Sequence, residues 1–360
     1  MFAGFYDQKR VFVTGTTGFK GSWLAIWLHK LGTQVTGYSH PPPTDPSNFA
    51  ACALEQKIDQ IYGDICSFED LLTALRKSKA EIVFHLAAQA IVRQSYRDPV
   101  STFDANVMGT VNLLEAVRQT SSVRAVIVVT SDKCYAQNGN QRACRESDRL
   151  GGHDPYSASK ACAELAVASY AAAFCDQLPR LSTVRAGNVI GGGDWAADRL
   201  IPDCIRALQT GKTIHIRNPS HIRPWQHVLD PLGGYLRLAK KMVTETVPYS
   251  GAWNFGPEES SQIAVQCLVD KLMGYWGNGG CRFATQGQGS WQENPCLMLD
   301  ATKAKEELGW CPILDTDESL CRVARWYKSY FGGFDAYNLC TREIETYREV
   351  AWKQEKDWVK

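Results

Sequence analysis

Residues 10–39 read RVFVTGTTGFKGSWLAIWLHKLGTQVTGYS, and this stretch decides the fold. Arg10–Thr14 is a β-branched and aromatic run suited to a buried parallel strand. Glycines follow at 15, 18 and 21. Ser22 to Leu31 reads as an apolar helix closed by Gly32, and Gln34 to Tyr38 resumes as a strand. Strand, glycine loop, helix and strand in this order form the context in which three spaced glycines bind a dinucleotide. The glycines permit a tight turn and let backbone approach a pyrophosphate. The helix N-terminus then offers that anion free N–H groups and a positive dipole end.

The alternation continues through the first half. Glu81–Leu86 is a strand entering Ala87-Ala88-Gln89. Ala125–Thr130 is another, entering Ser131-Asp132-Lys133. Between them Asp104–Thr110 leads into a helical segment ending near Gln119. The pattern predicts an α/β fold, a Rossmann-type doubly wound parallel sheet with right-handed crossovers. Ligands of such sheets bind at the carboxyl ends of strands. The glycine loop, Ala87-Ala88-Gln89 and Ser131-Asp132-Lys133 are therefore expected along one rim, with Asp64 near the adenine. From about residue 190 the sequence becomes irregular and richer in Trp, Arg, Pro and Gly, as expected of a smaller C-terminal substrate-binding domain. The predicted division is 1–190 for the dinucleotide-binding domain, with segments returning to it at about 226–258, and 191–360 mainly for the substrate. Phe331 to Lys360 is expected to form a terminal helix.

Composition narrows the function. The chain has 360 residues, with 39 Lys+Arg against 38 Asp+Glu and a net charge of +1. Without a basic block, nucleic acid and anionic membrane surfaces are not implied. No signal pattern or membrane span is apparent, which predicts a cytoplasmic protein. Thirteen cysteines are scattered and form no C-x-x-C pair. This argues for buried free thiols, not structural zinc or a disulfide framework, and no metal is expected.

The cofactor reading favours NAD. The second strand ends in Tyr38-Ser39-His40 and then three prolines, with no Arg or Lys to hold a 2′-phosphate. No Asp or Glu stands there either, so Ser39 or backbone is expected to meet the ribose hydroxyl. Tyr156 and Lys160 lie four residues apart and share a helix face, with Pro155 suited to the first helical position. A lysine ammonium beside the phenol is expected to lower its pKa. The tyrosine then accepts a proton from a substrate hydroxyl as hydride leaves for nicotinamide.

Taken together, GTTGFKG (15–21), His85–Gln89, Asn106, Thr130–Lys133, Tyr156 with Lys160, RAGNVIGGGDW (185–195), RPWQHV (223–228) and Asp300–Lys303 resemble the extended short-chain dehydrogenase/reductases that act on nucleotide sugars. The resemblance covers nearly the whole chain. More narrowly, GTTGFKGSWLAIWL, SDKCY, GGHDPYSASK and GNVIGGGDW resemble the 4,6-dehydratases of the CDP-glucose type. The resemblance implies NAD as a bound, regenerated cofactor and CDP-glucose as the substrate. Hydride leaves sugar carbon 4, water is eliminated across carbons 5 and 6, and hydride returns to carbon 6, as in deoxysugar biosynthesis feeding lipopolysaccharide O-antigen. It further implies a homodimer paired through the helices starting near Asp104 and Tyr156.

On this basis Gly15, Thr17, Gly18, Phe19, Lys20, Gly21, Asp64, Ile65, Ala87, Ala88, Gln89, Asn106, Thr130, Tyr156 and Lys160 are the expected cofactor contacts. Ser131, Asp132, Lys133, Tyr156 and Lys160 are the expected catalytic groups. Ser131 is assigned to the oxygen on carbon 4, with Thr130 as competitor. Asp132 is the acid toward the 6-hydroxyl. Lys133 is either the carbon 5 base or a cation stabilising the enolate; dTDP-glucose relatives carry Glu there. Asn188, Arg199, Leu200, Arg217, Arg223 and Glu293 are the expected substrate contacts, Arg223 as a diphosphate clamp. Trp225 and His227 have equally good structural readings. A 4,6-dehydratase acting on another nucleotide sugar is the nearer rival; a 4-epimerase and a non-catalytic NAD-sensing protein are the rival classes, and neither needs Asp132 and Lys133 beside Tyr156 and Lys160.

Overall fold

The computed structural model describes residues 1–136, 142–247, 249–258, 261–277, 279–283 and 297–360. In chain order the first half runs β1 (Arg10–Thr14), α1 (Phe19–Lys30), β2 (Gln34–Ser39), α2 (Asn48–Ala51), β3 (Asp59–Tyr62), α3 (Phe68–Ser78), β4 (Ile82–His85), α4 (Val92–Arg97), α5 (Pro99–Phe103), a five-residue π turn (Asp104–Met108), α6 (Gly109–Arg118), β5 (Ala125–Val129), α7 (Pro155–Ala173) and β6 (Arg180–Ala186). The second half runs β7 (Val189–Ile190), α8 (Leu200–Gln209), β8 (Ile214–Ile216), β9 (Ile222–Pro224), β10 (Gln226–His227), α9 (Leu229–Thr244), β11 (Gly251–Phe255), β12 (Gln262–Ala264), α10 (Val265–Trp276), β13 (Cys281–Phe283), α11 (Thr302–Glu306), α12 (Thr316–Phe331) and α13 (Ala336–Lys353).

Seven parallel strands form the central sheet in the order β11-β6-β5-β4-β1-β2-β3. Side chains alternate across it, as the two-residue period requires. Val11, Val13, Phe84 and Ile127 face the layer of α1 and α9. Phe12, Val83, Val126 and Val128 face the layer of α3, α6 and α7. A sheet covered on both faces needs continuous apolar strands, and AVIVV of β5 is buried along its whole length.

Helix α1 is buried from Gly21 to Leu28 because it is covered on its outer side too. Trp27 packs edge-on against Tyr347 of α13 and against Trp358. A helix enclosed on all sides carries no polar stripe, which explains its apolar sequence. β11 and α9 come from the second half of the chain yet belong to the large layer structure: β11 pairs with β6 from Gly251↔Ser182 to Phe255↔Ala186. The pairs β7–β10, β8–β13 and β9–β12, with α8, α10 and α12, build the smaller lobe.

Two local expectations change. Phe331 ends α12 instead of opening a terminal helix; Gly333 has φ +87°, and α13 restarts after Asp335, whose carboxylate accepts from the Asn338 amide at 2.7 Å. The described cysteines are free, but only Cys52, Cys134, Cys204 and Cys340 are buried. No helix among the described residues is long and apolar enough to cross a membrane.

Candidate active site

One cavity of about 1410 Å³ opens at the carboxyl ends of β1, β2, β4 and β5 and is closed on its far side by the smaller lobe. Its first wall is backbone. Gly15 has φ +77°, and a Cβ there would stand 2.7 Å from the Ala87 nitrogen. A Cβ on Gly21 would stand 1.9 Å from the Gly15 carbonyl oxygen, so this glycine lets helix and loop close together. Gly18 caps α1 without any side-chain hydrogen bond. The first-turn amides are thus left without a capping side chain, at a loop whose Gly18 lines the cavity. This donor set suits a pyrophosphate.

Thr17, Phe19, Asp64, Ile65, Ala87, Ala88 and Gln89 line the same wall. Thr14 and His85 brace it from below. The Thr14 hydroxyl is 2.7 Å from His85 Nδ1 and accepts from the Leu86 and Ala87 amides at 3.1 Å. Burial holds His85 near pKa 3, hence neutral.

Three of the expected cofactor residues engage their polar atoms within the protein, although Ser39 and Thr130 still line the cavity. Asn106 lies behind the wall: its carboxamide oxygen accepts from the Gln89 amide at 2.8 Å, and its nitrogen donates to the Gln89 carbonyl at 3.1 Å and to Ser159 at 2.9 Å. It shapes the 86–91 loop from within the π turn. Ser39 is buried, with its hydroxyl 3.1 Å from both Thr16 Oγ1 and Gln60 Nε2. The exposed polar groups at that strand end are His40 and Asp64, 3.4 Å apart. Thr130 turns its hydroxyl inward to the Glu164 carboxylate.

The chemistry-bearing groups gather over the end of β5. Asp154 caps α7, accepting from the Ser157 amide at 2.9 Å, with Pro155 at the first helical position. Tyr156 therefore sits in the first turn, and Lys160 one turn on. Ser131 is near enough to Tyr156 to oppose the rise of its pKa, whereas the Thr130 hydroxyl is taken up by Glu164. Ser131 also donates to Asp132 Oδ1 at 3.0 Å and accepts from the Lys133 amide at 3.2 Å.

Asp132 is buried, and its second carboxylate oxygen has no hydrogen-bond partner among the described residues. Burial raises its pKa, opposed by Lys133, Ser131, Arg223 and Lys20. Lys20 of the glycine loop is thus near enough to Asp132 to favour its charged form. Burial, with Arg199 and Lys160 as like charges, lowers the Lys20 pKa to about 8.

The expected depression of the Tyr156 pKa does not hold in this structure. Burial pushes the phenol up to about 12, against the opposing Ser131 hydrogen bond. The Lys160 ammonium instead donates to the Val129 carbonyl at 3.2 Å, and burial lowers its pKa to about 8. Desolvation outweighs the helical neighbour relation.

The second wall is cationic. Arg199 pairs with Asp194 at 3.0 Å and faces Tyr156. Arg223 is buried, with its guanidinium 2.9 Å from His221 Nδ1. Arg217, Asn188 and Leu200 complete this side. Arg93 of α4 crosses to Asp198 at 2.7 Å and ties the two walls together. Trp225 lines the cavity while otherwise buried. His227 is neutral and internal, its pKa held near 3 by burial. Glu293 lies outside the described residues. The nearness of Lys20 to Asp132 and the Asp194–Arg199 pair escaped the sequence reading, because neither spacing nor composition carries them.

A doubly wound parallel sheet, a glycine loop and a Tyr-x-x-x-Lys helix beside an acidic turn define a dinucleotide-dependent sugar-nucleotide scaffold. The family described as GDP-mannose 4,6 dehydratase matches residues 12–323, and the chain belongs to this family. It is 45% identical over 349 residues to CDP-glucose 4,6-dehydratase of Salmonella typhimurium strain LT2, covering 95% of this chain and 97% of the relative. Its fold is similar to DesIV, a dTDP-glucose 4,6-dehydratase from Streptomyces venezuelae solved with NAD, at 23% identity and a TM-score of 0.78 over 91% of this chain and 99% of that one. It is also similar to MoeE5 solved with UDP-glucose and NAD, at 26% identity and a TM-score of 0.75 over 89% of this chain and 99% of that one.

Proposed function

We propose that the chain is an NAD-dependent dehydratase that converts CDP-glucose to CDP-4-keto-6-deoxyglucose. The observation that carries this reading is Asp132: a buried carboxylate with one unpartnered oxygen, on the same turn as Ser131 and within the same cavity as Tyr156. A 4-epimerase has no use for a second proton-handling group there. The choice of CDP-glucose is supported by the 45% identity to the Salmonella enzyme along 95% of the chain.

The uncapped first turn of α1, with Gly18 lining the cavity, suits the NAD pyrophosphate, and Asp64 and His40 stand at the adenosine end. When bound, NAD supplies a hydride acceptor that is regenerated within each turnover. Tyr156 takes the proton from the hydroxyl on carbon 4, and Ser131 holds that oxygen beside the phenol. The raised pKa of Asp132 keeps a proton available, which Asp132 gives to the departing 6-hydroxyl. Lys133, on the same turn, is assigned to the carbon 5 proton or to the negative charge left when it departs. Arg199 and Arg223 bind the diphosphate, with Asn188, Leu200 and Arg217 around the nucleotide.

Exposed apolar side chains at Val100, Phe103, Met108 and Leu165, on α5 through α7, support a homodimer. Sedimentation as a monomer at working concentration would overturn it. The free described cysteines suit a reducing compartment, and we assign the protein to the cytoplasm. The deciding experiment incubates purified protein with CDP-, UDP-, dTDP- and GDP-glucose in deuterated water and follows products by NMR. A 4-keto-6-deoxy sugar from CDP-glucose with deuterium at carbon 5 is expected. A galactose configuration without loss of water would move the protein to the epimerases.

A further inference from the structure

Behind the turn that carries Ser131, Asp132 and Lys133 lies a second buried charge pair, unused by the chemistry above. Glu164 and Arg185 have side chains only 3% exposed. Arg185 Nε and Nη2 donate to the two Glu164 oxygens at 2.9 and 2.7 Å. The Thr183 hydroxyl donates to one of these oxygens at 2.6 Å, and the Thr130 hydroxyl donates to the other. The remaining guanidinium nitrogen donates to the Tyr135 hydroxyl at 2.8 Å, with the guanidinium 4.8 Å from the Tyr135 ring centre. That hydroxyl in turn donates to Asn254 Oδ1 of β11 at 2.6 Å. Thr130 and Tyr135 immediately flank residues 131–134, so one ion pair holds both ends of the turn.

The same carboxylate stands one helical turn beyond Lys160 on α7. The titratable groups facing Lys160 are Glu164 on its own helix, Cys134 on the turn, Lys20 from α1 and His85 from β4. Glu164 favours the charged form of Lys160 against the burial that disfavours it. A buried ion pair is often replaceable by neutral groups without loss of stability. Stability alone therefore does not explain a pair so fully hydrogen bonded at this place.

We infer that Glu164 and Arg185 are positioning residues for the reaction: they clamp both ends of the turn that presents Asp132 and Lys133, and Glu164 supplies the counter-charge of Lys160. The inference rests on the dehydratase reading for its kinetic consequences, but not for the ionisation of Lys160.

The test compares Glu164→Gln/Arg185→Met, which removes both members of the ion pair together, with Glu164→Asp, which keeps the carboxylate. Lys160 is titrated by NMR in isotope-labelled protein, its signal assigned by its loss in Lys160→Arg. In the double variant the Lys160 midpoint is expected to fall by about one pH unit. kcat should drop about a hundredfold with KM within about twofold. The alkaline limb of the rate profile should move down with the midpoint, and Glu164→Asp should restore it. Tyr135→Phe releases only the far end of the turn and should lower kcat about tenfold at an unchanged midpoint. It also decides the clamp if the double variant does not fold. An unmoved Lys160 midpoint in a folded double variant overturns the counter-charge, and a wild-type kcat in Tyr135→Phe overturns the clamp. If the wild-type protein does not dehydrate CDP-glucose, the proposed function fails, while the Lys160 titration, read without substrate, still decides on Glu164.

Discussion

Two buried carboxylates stand on opposite sides of the turn at residues 131–134, and they are treated in opposite ways. Glu164, behind it, accepts four hydrogen bonds, from Arg185 twice and from Thr130 and Thr183. Asp132, facing the cavity, has one oxygen bonded to Ser131 and the other without a partner. Both are almost fully buried. A buried carboxylate with its bonding satisfied holds its surroundings in one arrangement. A carboxylate buried with an oxygen unsatisfied is pushed toward its protonated form and is poised to exchange that proton. Burial alone does not distinguish the two; the unpaired oxygen of Asp132 belongs to a residue that lines the cavity.

Variants on the two sides should therefore fail differently. On the cavity side, Tyr156→Phe is expected to lower kcat about 10³- to 10⁴-fold while bound NAD is retained and the melting temperature holds, checked by product NMR and calorimetry. Glu164→Ala leaves Arg185 buried without its counter-charge and should cost about 3–5 kcal/mol of stability in denaturant unfolding. Asp132→Asn should lower kcat about 10²-fold yet melt no lower than the wild type, since it removes an unsatisfied buried carboxylate. A loss of stability in Asp132→Asn matching that of Glu164→Ala would abolish the contrast.

A third buried carboxylate, remote from the turn, sharpens it. Asp230 accepts from the Ile313 amide at 2.7 Å and from the Tyr347 hydroxyl at 2.9 Å, with Oδ2 unpartnered. Burial raises its pKa from 3.8 to about 7. Because the folded pKa is raised, the stability it contributes is fully present below the unfolded value and is lost as pH rises through about 7. Asp230→Asn should flatten the stability profile between about pH 4 and 7 and leave kcat unchanged.

How much of this was legible follows from where each constraint is written. The glycine loop can be read because its demands fall on single letters: φ +77° at Gly15 and the absence of room at Gly21 each exclude a side chain. The start of α7 is equally local, with Asp154, Pro155 and Tyr156 contiguous in sequence and Lys160 four residues on. Features that depend on distant partners were not legible. Glu164 repeats the four-residue step after Tyr156 and Lys160, a usable signal, but Arg185 meets it only because β6 runs beside β5. Lys20 looks like a phosphate contact from its place in the loop, and only the order of strands in the sheet brings it near Asp132. Asn106 and Ser39 stand at the expected elements, yet neighbouring side chains use their polar atoms. The Tyr156 pKa was misread because spacing reports a nearby lysine and says nothing about desolvation. The break between α12 and α13 was written in Gly332-Gly333 and Asp335, but the aromatic and charged composition around it reads as continuous helix.

The position of β11 bears on how the chain is made. Strand β6 ends at residue 186, and the strand that covers its outer edge begins only at residue 251. During synthesis six strands can assemble while the backbone donors and acceptors of β6 stay open along one side, the kind of edge on which chains join one another. A nascent chain halted near residue 190 should accordingly need a chaperone to stay soluble, and one halted after α9 and β11 have emerged should not. Completion of the sheet is thus timed by translation of the second half, so conditions that stall the ribosome in this interval threaten solubility before any side chain of the active site is at stake.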